Sequence, residues 1–226
     1  GANQEDTGAT DVGAAYIYPF DQAENYYITQ PGTYHADLQI CGIDYKTNEV
    51  EVTGDIVPEK SWANELKIRA SDRQTQDYFG WSVSLSGDYA IVGAYAEDPD
   101  NIGSAGAAYI YKRNGTTWGD EQKIVASDRQ GADLFGTAVS LSGDYAILGV
   151  RNEDPGGTAD AGSAYIYKRN ASGVWGDEQK IVASDKQQGD TFGYSVSISG
   201  DYAIVGAYSE DPDNIGSAGA AYIYKR

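Results

Sequence analysis

Apolar and polar positions alternate along most of this chain. In "ELKIRA" (65–70), Leu66, Ile68 and Ala70 fall on one face and charged side chains on the other. In "FGWSVSLS" (79–86), Trp81, Val83 and Leu85 alternate with Ser82, Ser84 and Ser86. "GAAYIYKR" (106–113) alternates again, and "DYAIVGAY" (88–95) is a denser apolar run, as a buried strand shows. A period of two bounded by Gly, Asp and Asn predicts strands, and no helical period occurs anywhere. Between the second and third strands, Ser86-Gly87-Asp88-Tyr89 predicts a two-residue hairpin turn in which Gly87 supplies the positive φ. The third and fourth strands are joined by the longer loop "AEDPDNIGSAG".

The four-strand pattern repeats. Phe79-Gly80, Phe135-Gly136 and Phe192-Gly193 recur at steps of 56 and 57 residues. "SGDYAI" follows from Ser86, Ser142 and Ser199, and "AYIYKR" from Ala108, Ala164 and Ala221. Trp62, Trp118 and Trp175 open the units, each followed three residues later by Glu65, Glu121 or Glu178. Asp98 to Arg113 is identical to Asp211 to Arg226. Four short strands in each unit is the β-propeller blade pattern, because one blade cannot bury both faces of its sheet alone. The fold expected is therefore all-β: a propeller of four-stranded antiparallel blades, with three full repeats, an N-terminal half repeat and a β-rich insertion. Its parts are a partial blade at 1–20, the insertion at 21–61, and blades at 62–113, 114–169 and 170–226. The Ser stripe of the second strand reads as packing between sheets.

Phe-Gly, a twelve-residue gap, a second Gly (Gly93, Gly149, Gly206) and then AYIY resembles the FG-GAP repeat, the blade of integrin α-subunit propellers and of many secreted proteins. The resemblance covers Trp62 to Arg226 and the half unit Gly1 to Tyr18. It implies an extracellular or cell-surface propeller. Two features depart from the family pattern. The Asp-rich calcium loop of integrin-type repeats has shrunk to "SGD", and Tyr95 and Tyr208 stand where the motif has proline. This looks like a short variant lacking that loop, so the family's calcium site does not carry over.

The first residues, "GANQEDTGATDVGAAYIY", match the back half of a unit without its front half. Ala14, Ala15, Tyr16, Ile17 and Tyr18 form a strand that is a candidate for pairing with another subunit by strand addition. After it, about 37 extra residues separate Tyr18 from Glu65 relative to the other units. Within that insertion, "ADLQICGI" and "EVEVTGDIV" are expected to pair as a hairpin across "DYKTN". His35 and Cys41, the single His and single Cys of the chain, lie here.

Net charge narrows the partners. Sixteen Lys and Arg against 34 Asp and Glu give −18, and backbone binding to nucleic acid needs the opposite sign. No apolar run reaches the length of a membrane span. Catalytic groups are sparse: a His35–Cys41 dyad would lack a third, orienting group. There is no H-E-x-x-H, no G-x-S-x-G and no Gly-rich phosphate loop. Near-identical repeats also argue against the single asymmetric constellation that catalysis needs, so a non-enzyme is expected.

Calcium is the expected cofactor, if there is one, since it takes several oxygen ligands from a flexible loop. The loop acids offer such oxygens: Glu97, Asp98, Asp100 and Asn101 in one loop, Glu210, Asp211, Asp213 and Asn214 in its copy, and Glu153, Asp154 and Asp160 in the variant loop. Glu5, Asp6 and Asp11 occupy the N-terminal copy. The pairs Asp72/Asp77, Asp128/Asp133 and Asp185/Asp190 either ligate as well or cap turns through backbone N–H groups. Asn114-Gly-Thr and Asn170-Ala-Ser match the N-glycosylation pattern. The function expected is a non-enzymatic adhesion or assembly module working through protein partners or self-association. A carbohydrate-binding lectin and an accessory domain of a larger secreted enzyme are the alternatives.

Overall fold

The computed structural model describes residues 65–226 apart from 213 and 214, and four short strands before them. It divides into two compact units, Gly1–Glu65 and Leu66–Arg226. In the first unit, β1 (Gly32–Tyr34) pairs with β4 (Val50–Val52), and β2 (Asp37–Ile40) pairs with β3 (Ile43–Lys46), both antiparallel. The insertion is thus β-rich as expected, but its pairing differs. Asp37–Ile40 pairs with Ile43–Lys46, so "DYK" of the expected turn is itself strand, and "VEV" pairs with "GTY". Only Cys41 and Gly42 separate β2 from β3, and so short a loop is cheaper to close than the longer one expected.

The second unit is three antiparallel sheets. The first runs β5 (Ser82–Ser86), β6 (Tyr89–Ala94), β7 (Ala107–Asn114) and β8 (Thr117–Ile124). The second runs β9 (Ala138–Ser142), β10 (Tyr145–Val150), β11 (Ser163–Arg169) and β12 (Trp175–Ile181). The third has three strands: β13 (Phe192–Ser199), β14 (Tyr202–Ala207) and β15 (Ala220–Lys225). Each β5–β6 type hairpin turns on the predicted Gly: Gly87, Gly143 and Gly200 all have φ between 54° and 58°. Two three-residue 3-10 turns sit in the long loops, at Pro99–Asn101 and Pro155–Gly157. Among the described residues no helix is long and apolar enough to cross a membrane.

The sheets are offset from the sequence units by one strand. The Trp-led segment that opens a unit is the outer strand of the preceding sheet: β8 pairs with β7, and β12 with β11. Two residues, Gly115 and Thr116, join β7 to β8, whereas thirteen separate β8 from β9. The tight hairpin closes first at low entropic cost, and the long connection crosses to the next sheet. Residues 65–70, "ELKIRA", form no strand.

Stacking is sequential. Ile91 and Ile110 of the first sheet share a core with Val139, Leu141 and Leu148 of the second. Ile147 and Ala164 of the second share one with Phe192 and Val205 of the third. The Ser stripe stitches the inner strands. Val139, Leu141 and Gly143 donate their backbone N–H groups to the hydroxyls of Ser82, Ser84 and Ser86 at 2.9–3.0 Å. Ile198 and Gly200 do the same to Ser140 and Ser142 at 3.2 and 3.1 Å. This is the arrangement of successive propeller blades, and the serines serve packing, as expected.

The Phe-Gly motif sits at the same seam. Each Phe lies edge-on to the two tyrosines of its unit's AYIY strand, as Phe135 does to Tyr165 (5.7 Å) and Tyr167 (6.2 Å). Its Gly lies against the second Gly of the motif in the sheet before, Gly193 on Gly149 and Gly136 on Gly93.

Candidate functional site

The recurring polar residues converge beneath each sheet. Tyr109 and Tyr165 are fully buried and donate their hydroxyls to Asp72 (2.8 Å) and Asp128 (2.6 Å). Lys123, from the outer strand β8, bridges Asp72 (2.8 Å) and the buried loop acid Glu97 (2.7 Å). Lys180 of β12 repeats the bridge to Asp128 (2.8 Å) and Glu153 (2.7 Å). A second outer-strand residue closes the other side. Glu121 accepts the Tyr111 hydroxyl at 2.8 Å and both the N–H and the hydroxyl of Ser71, at 3.1 and 2.6 Å. Glu178 does so for Tyr167 and Ser127.

Electrostatics follow this wiring. Burial alone would raise the Asp72 and Asp128 carboxyls, but hydrogen bonds from Lys123 and Tyr109, and from Lys180 and Tyr165, outweigh it and hold both below the usual range. Glu97 is raised by burial despite Lys123. Burial and hydrogen bonding to a carboxylate both raise the Tyr109 and Tyr165 phenols, so these stay protonated donors.

The loop acids proposed for calcium are engaged within the chain. Asp98 accepts the Ser104 N–H at 2.6 Å, Asp154 the Asp160 N–H at 2.7 Å, and Asp211 the Ser217 N–H. Asp100 pairs with Arg129. Glu97 and Glu153 face lysine ammonium groups, and Glu210 lines a cavity of about 330 Å³ together with Asp185, Asp211 and Tyr222. Asn101 ends the 3-10 turn at positive φ. Asp213, Asn214, the N-terminal copy of the loop, strand Ala14–Tyr18 and the His35–Cys41 pair lie outside the described residues. Among the described residues no three His, Cys, Asp or Glu side chains are grouped to hold a metal. Asp77, Asp133 and Asp190 cap turns, accepting the N–H of Gln74, Gln130 and Gln187.

Asp133 is the most perturbed of these turn caps. Burial, reinforced by Glu153, Asp154 and Asp128 nearby, pushes its carboxyl up to about 6 against the Gln130 hydrogen bond. A raised carboxyl contributes stability that is present below about pH 4 and lost as pH rises through about 6. Asp133→Asn keeps an oxygen for Gln130 and removes the charge. Its stability relative to the parent is expected to climb between about pH 4 and 6, by up to about 3 kcal/mol. Urea midpoints measured across that range check this.

Asn114, the last residue of β7, and Asn170, in the hairpin between β11 and β12, are both exposed. They therefore lie within a sheet, not between sheets. Aromatic pairs also reach the surface. Tyr78 stacks on Tyr95 at 5.2 Å, Trp81 meets Tyr95 at 4.7 Å, and Tyr194 meets Tyr208 at 4.4 Å. Sequence reading singled out the acids but not Lys123 and Lys180. Their fixed place before Ile124 and Ile181 in "EQKI" was the available signal.

No curated relative matches the chain. The family model described as FG-GAP repeat matches three times, at 62–111, 118–167 and 175–224, which together are more than half of the sequence. Each match carries one Phe-Gly, and in the second and third it sits at the seams just described, against the Gly of the sheet before; the chain belongs to the FG-GAP repeat family.

Proposed function

We propose that this protein is a non-enzymatic, extracellular or cell-surface module that serves adhesion or assembly through protein–protein contacts. The observation that carries the reading is the pair of apolar faces at the two ends of the sheet stack. Val83 and Leu85 are 67% and 69% exposed on the first sheet, where their counterparts Val139 and Leu141 are 7% and 6% exposed in the second. Exposed large apolar side chains at alternate positions of one strand, Trp81, Val83 and Leu85, mark a contact face. The polar groups that repeat are meanwhile spent on internal bonds, which leaves rigid sheets presenting surfaces. FG-GAP repeats build interaction domains of the propeller type. If the protein passes through a glycosylating secretory route, Asn114 and Asn170 are exposed acceptors.

The test is attachment. Beads coated with the protein should adhere to intact cells or to matrix proteins, and adhesion should fall when Val83 and Leu85 are both changed to Thr. Equal adhesion by the folded double variant would count against the reading, as would turnover in a broad hydrolase panel. A lectin is the second reading, favoured by the exposed rings of Trp81, Tyr194 and Tyr208, since aromatic faces stack on sugars. Glycan-array hits lost in Trp81→Ala would move the assignment there.

A further inference from the structure

The near-identical units differ at two positions that meet across the seams. Where the first and third units have Tyr95 and Tyr208, the second has Arg151. Where they have Trp81 and Tyr194, it has Thr137. Arg151 directly follows β10 and crosses to the third sheet. Its guanidinium carbon lies 5.9 Å from the ring centroid of Tyr194 in β13, and that ring meets Tyr208 at 4.4 Å. Attraction between the cation and the ring face holds a guanidinium at this range.

Arg151 lacks the counter-charge that comparable arginines have. Arg113, Arg129, Arg169 and Arg226 each pair with an aspartate. Among the described residues Arg151 has neither a carboxylate nor a hydrogen-bond partner, and its Nε is buried and unpaired. Arg129 and Arg169 also leave Nε unpaired, but their terminal nitrogens hold Asp100 and Asp144. A buried donor without an acceptor is costly and uncommon in native structures. The Arg151 side chain as a whole is partly exposed, so its terminal nitrogens face solvent. Beside them Tyr194 is 43% exposed, although the second and third sheets both stand at this seam.

We propose that Arg151 and Tyr194 form a binding site for a carboxylated sugar at the seam of the second and third sheets, with Tyr208 extending the aromatic surface. This rests on the carbohydrate-binding reading and names the class of sugar. A guanidinium presents a planar fork of donors that matches a carboxylate. The tyrosine ring offers an apolar face to the C–H side of a pyranose and a hydroxyl at its edge. Charge narrows the ligand further. One unpaired arginine on a chain of net charge −18 suits an isolated carboxylate on an otherwise neutral glycan, and the overall field disfavours a dense polyanion. At the seam of the first and second sheets the corresponding residues are Tyr95 and Thr137, which supply no cation. The site therefore occurs once among the described repeats.

Methyl β-glucuronide and methyl β-glucoside differ only by a carboxylate in place of a hydroxymethyl group, and methyl α-sialoside carries its carboxylate on a different ring. Saturation-transfer NMR titrations should show the glucuronide or the sialoside bound more tightly than the glucoside, by roughly tenfold or more. The tighter of the two names the source of the carboxylate. Arg151→Tyr copies the residue of the other two units, so it should keep the melting temperature while abolishing the preference and sparing weak binding of the glucoside. Arg151→Lys keeps the charge without the fork and should restore only part of the preference. Tyr194→Ala should weaken all three sugars. The proposal is overturned if the wild type does not prefer a carboxylated sugar, if the preference survives in Arg151→Tyr, or if a peptide ending in Asp-Glu binds Arg151 and no sugar does. Glycan-array hits lost in Trp81→Ala but untouched by Arg151→Tyr would overturn this site and leave the lectin reading standing. Absence of any glycan binding would overturn both.

Discussion

Gly149→Ala is expected to cost this protein more stability than any other single change considered, at least about 3 kcal/mol. A Cβ built on Gly149 lies 1.9 Å from the carbonyl oxygen of Gly193 and 2.9 Å from its carbon. Both are backbone atoms of the next sheet, and no rotamer relieves the clash. Either the second and third sheets separate or one strand shifts. Separation would strip cover from Ile147, Phe192 and Val205, all fully buried at that seam. The same motif position supplies its own control. Gly206→Ala meets only a serine hydroxyl that can rotate away, so its cost should be well under half as large. Urea denaturation of the two variants beside the parent checks the contrast. Equal losses would mean that the motif glycine is needed for its own backbone conformation, not for the approach of the next sheet.

Lys123→Met should produce the second large effect, a loss of about 2–4 kcal/mol at neutral pH. The ammonium sits between Glu97, whose side chain is 4% exposed, and Asp72, and removing it leaves Glu97 facing a buried site without its cation. The figure is held below that of a fully buried pair because Lys123 itself is partly exposed. The pH dependence separates this from lost packing. Glu97 is already raised by burial, and without Lys123 it rises further. A raised carboxyl favours the fold only at pH values below its unfolded range, so the deficit should be greatest near pH 7 and shrink toward pH 4 as Glu97 takes up a proton. Asp72 acts in the same direction, because its lowered carboxyl stabilises the parent above about pH 4 and that advantage goes with the lysine. A deficit that is flat from pH 4 to 7 would show that the methylene stem matters and the charge does not.

The same lysine explains why the loop acids read as a metal site. Glu97, Asp98 and Asp100 are close in sequence, and clustered carboxylates in a Gly-bearing loop satisfy a calcium pattern loosely. In the folded chain they diverge. Asp98 turns to a backbone N–H six residues on, Asp100 to Arg129 of the next unit, and Glu97 to Lys123. Two of those three partners are more than 25 residues away. Charge compensation across units does not show in the loop itself, so the sequence displays the acids together and leaves only the recurring Lys of "EQKI" to point to their cations.

Local chemistry was legible where the interactions are short in range. Alternation gave the strands, Gly87 and its copies gave the hairpin turns, and the fixed spacing of Phe-Gly and AYIY gave the repeat and hence the family. These features depend on backbone sterics and on neighbours two residues apart, which a sequence states directly. Three things were decided only by tertiary structure. One is the membership of each sheet, since the pattern of "WGDEQKI" is equally good for the sheet before or after it and loop length chose the former. Another is the partner of each seryl hydroxyl, an N–H on a different sheet. The last is which end of the stack stays bare, because Val83 and Val139, or Ile110 and Ile223, are the same residue in the same motif and differ only in whether a further sheet arrives to cover them.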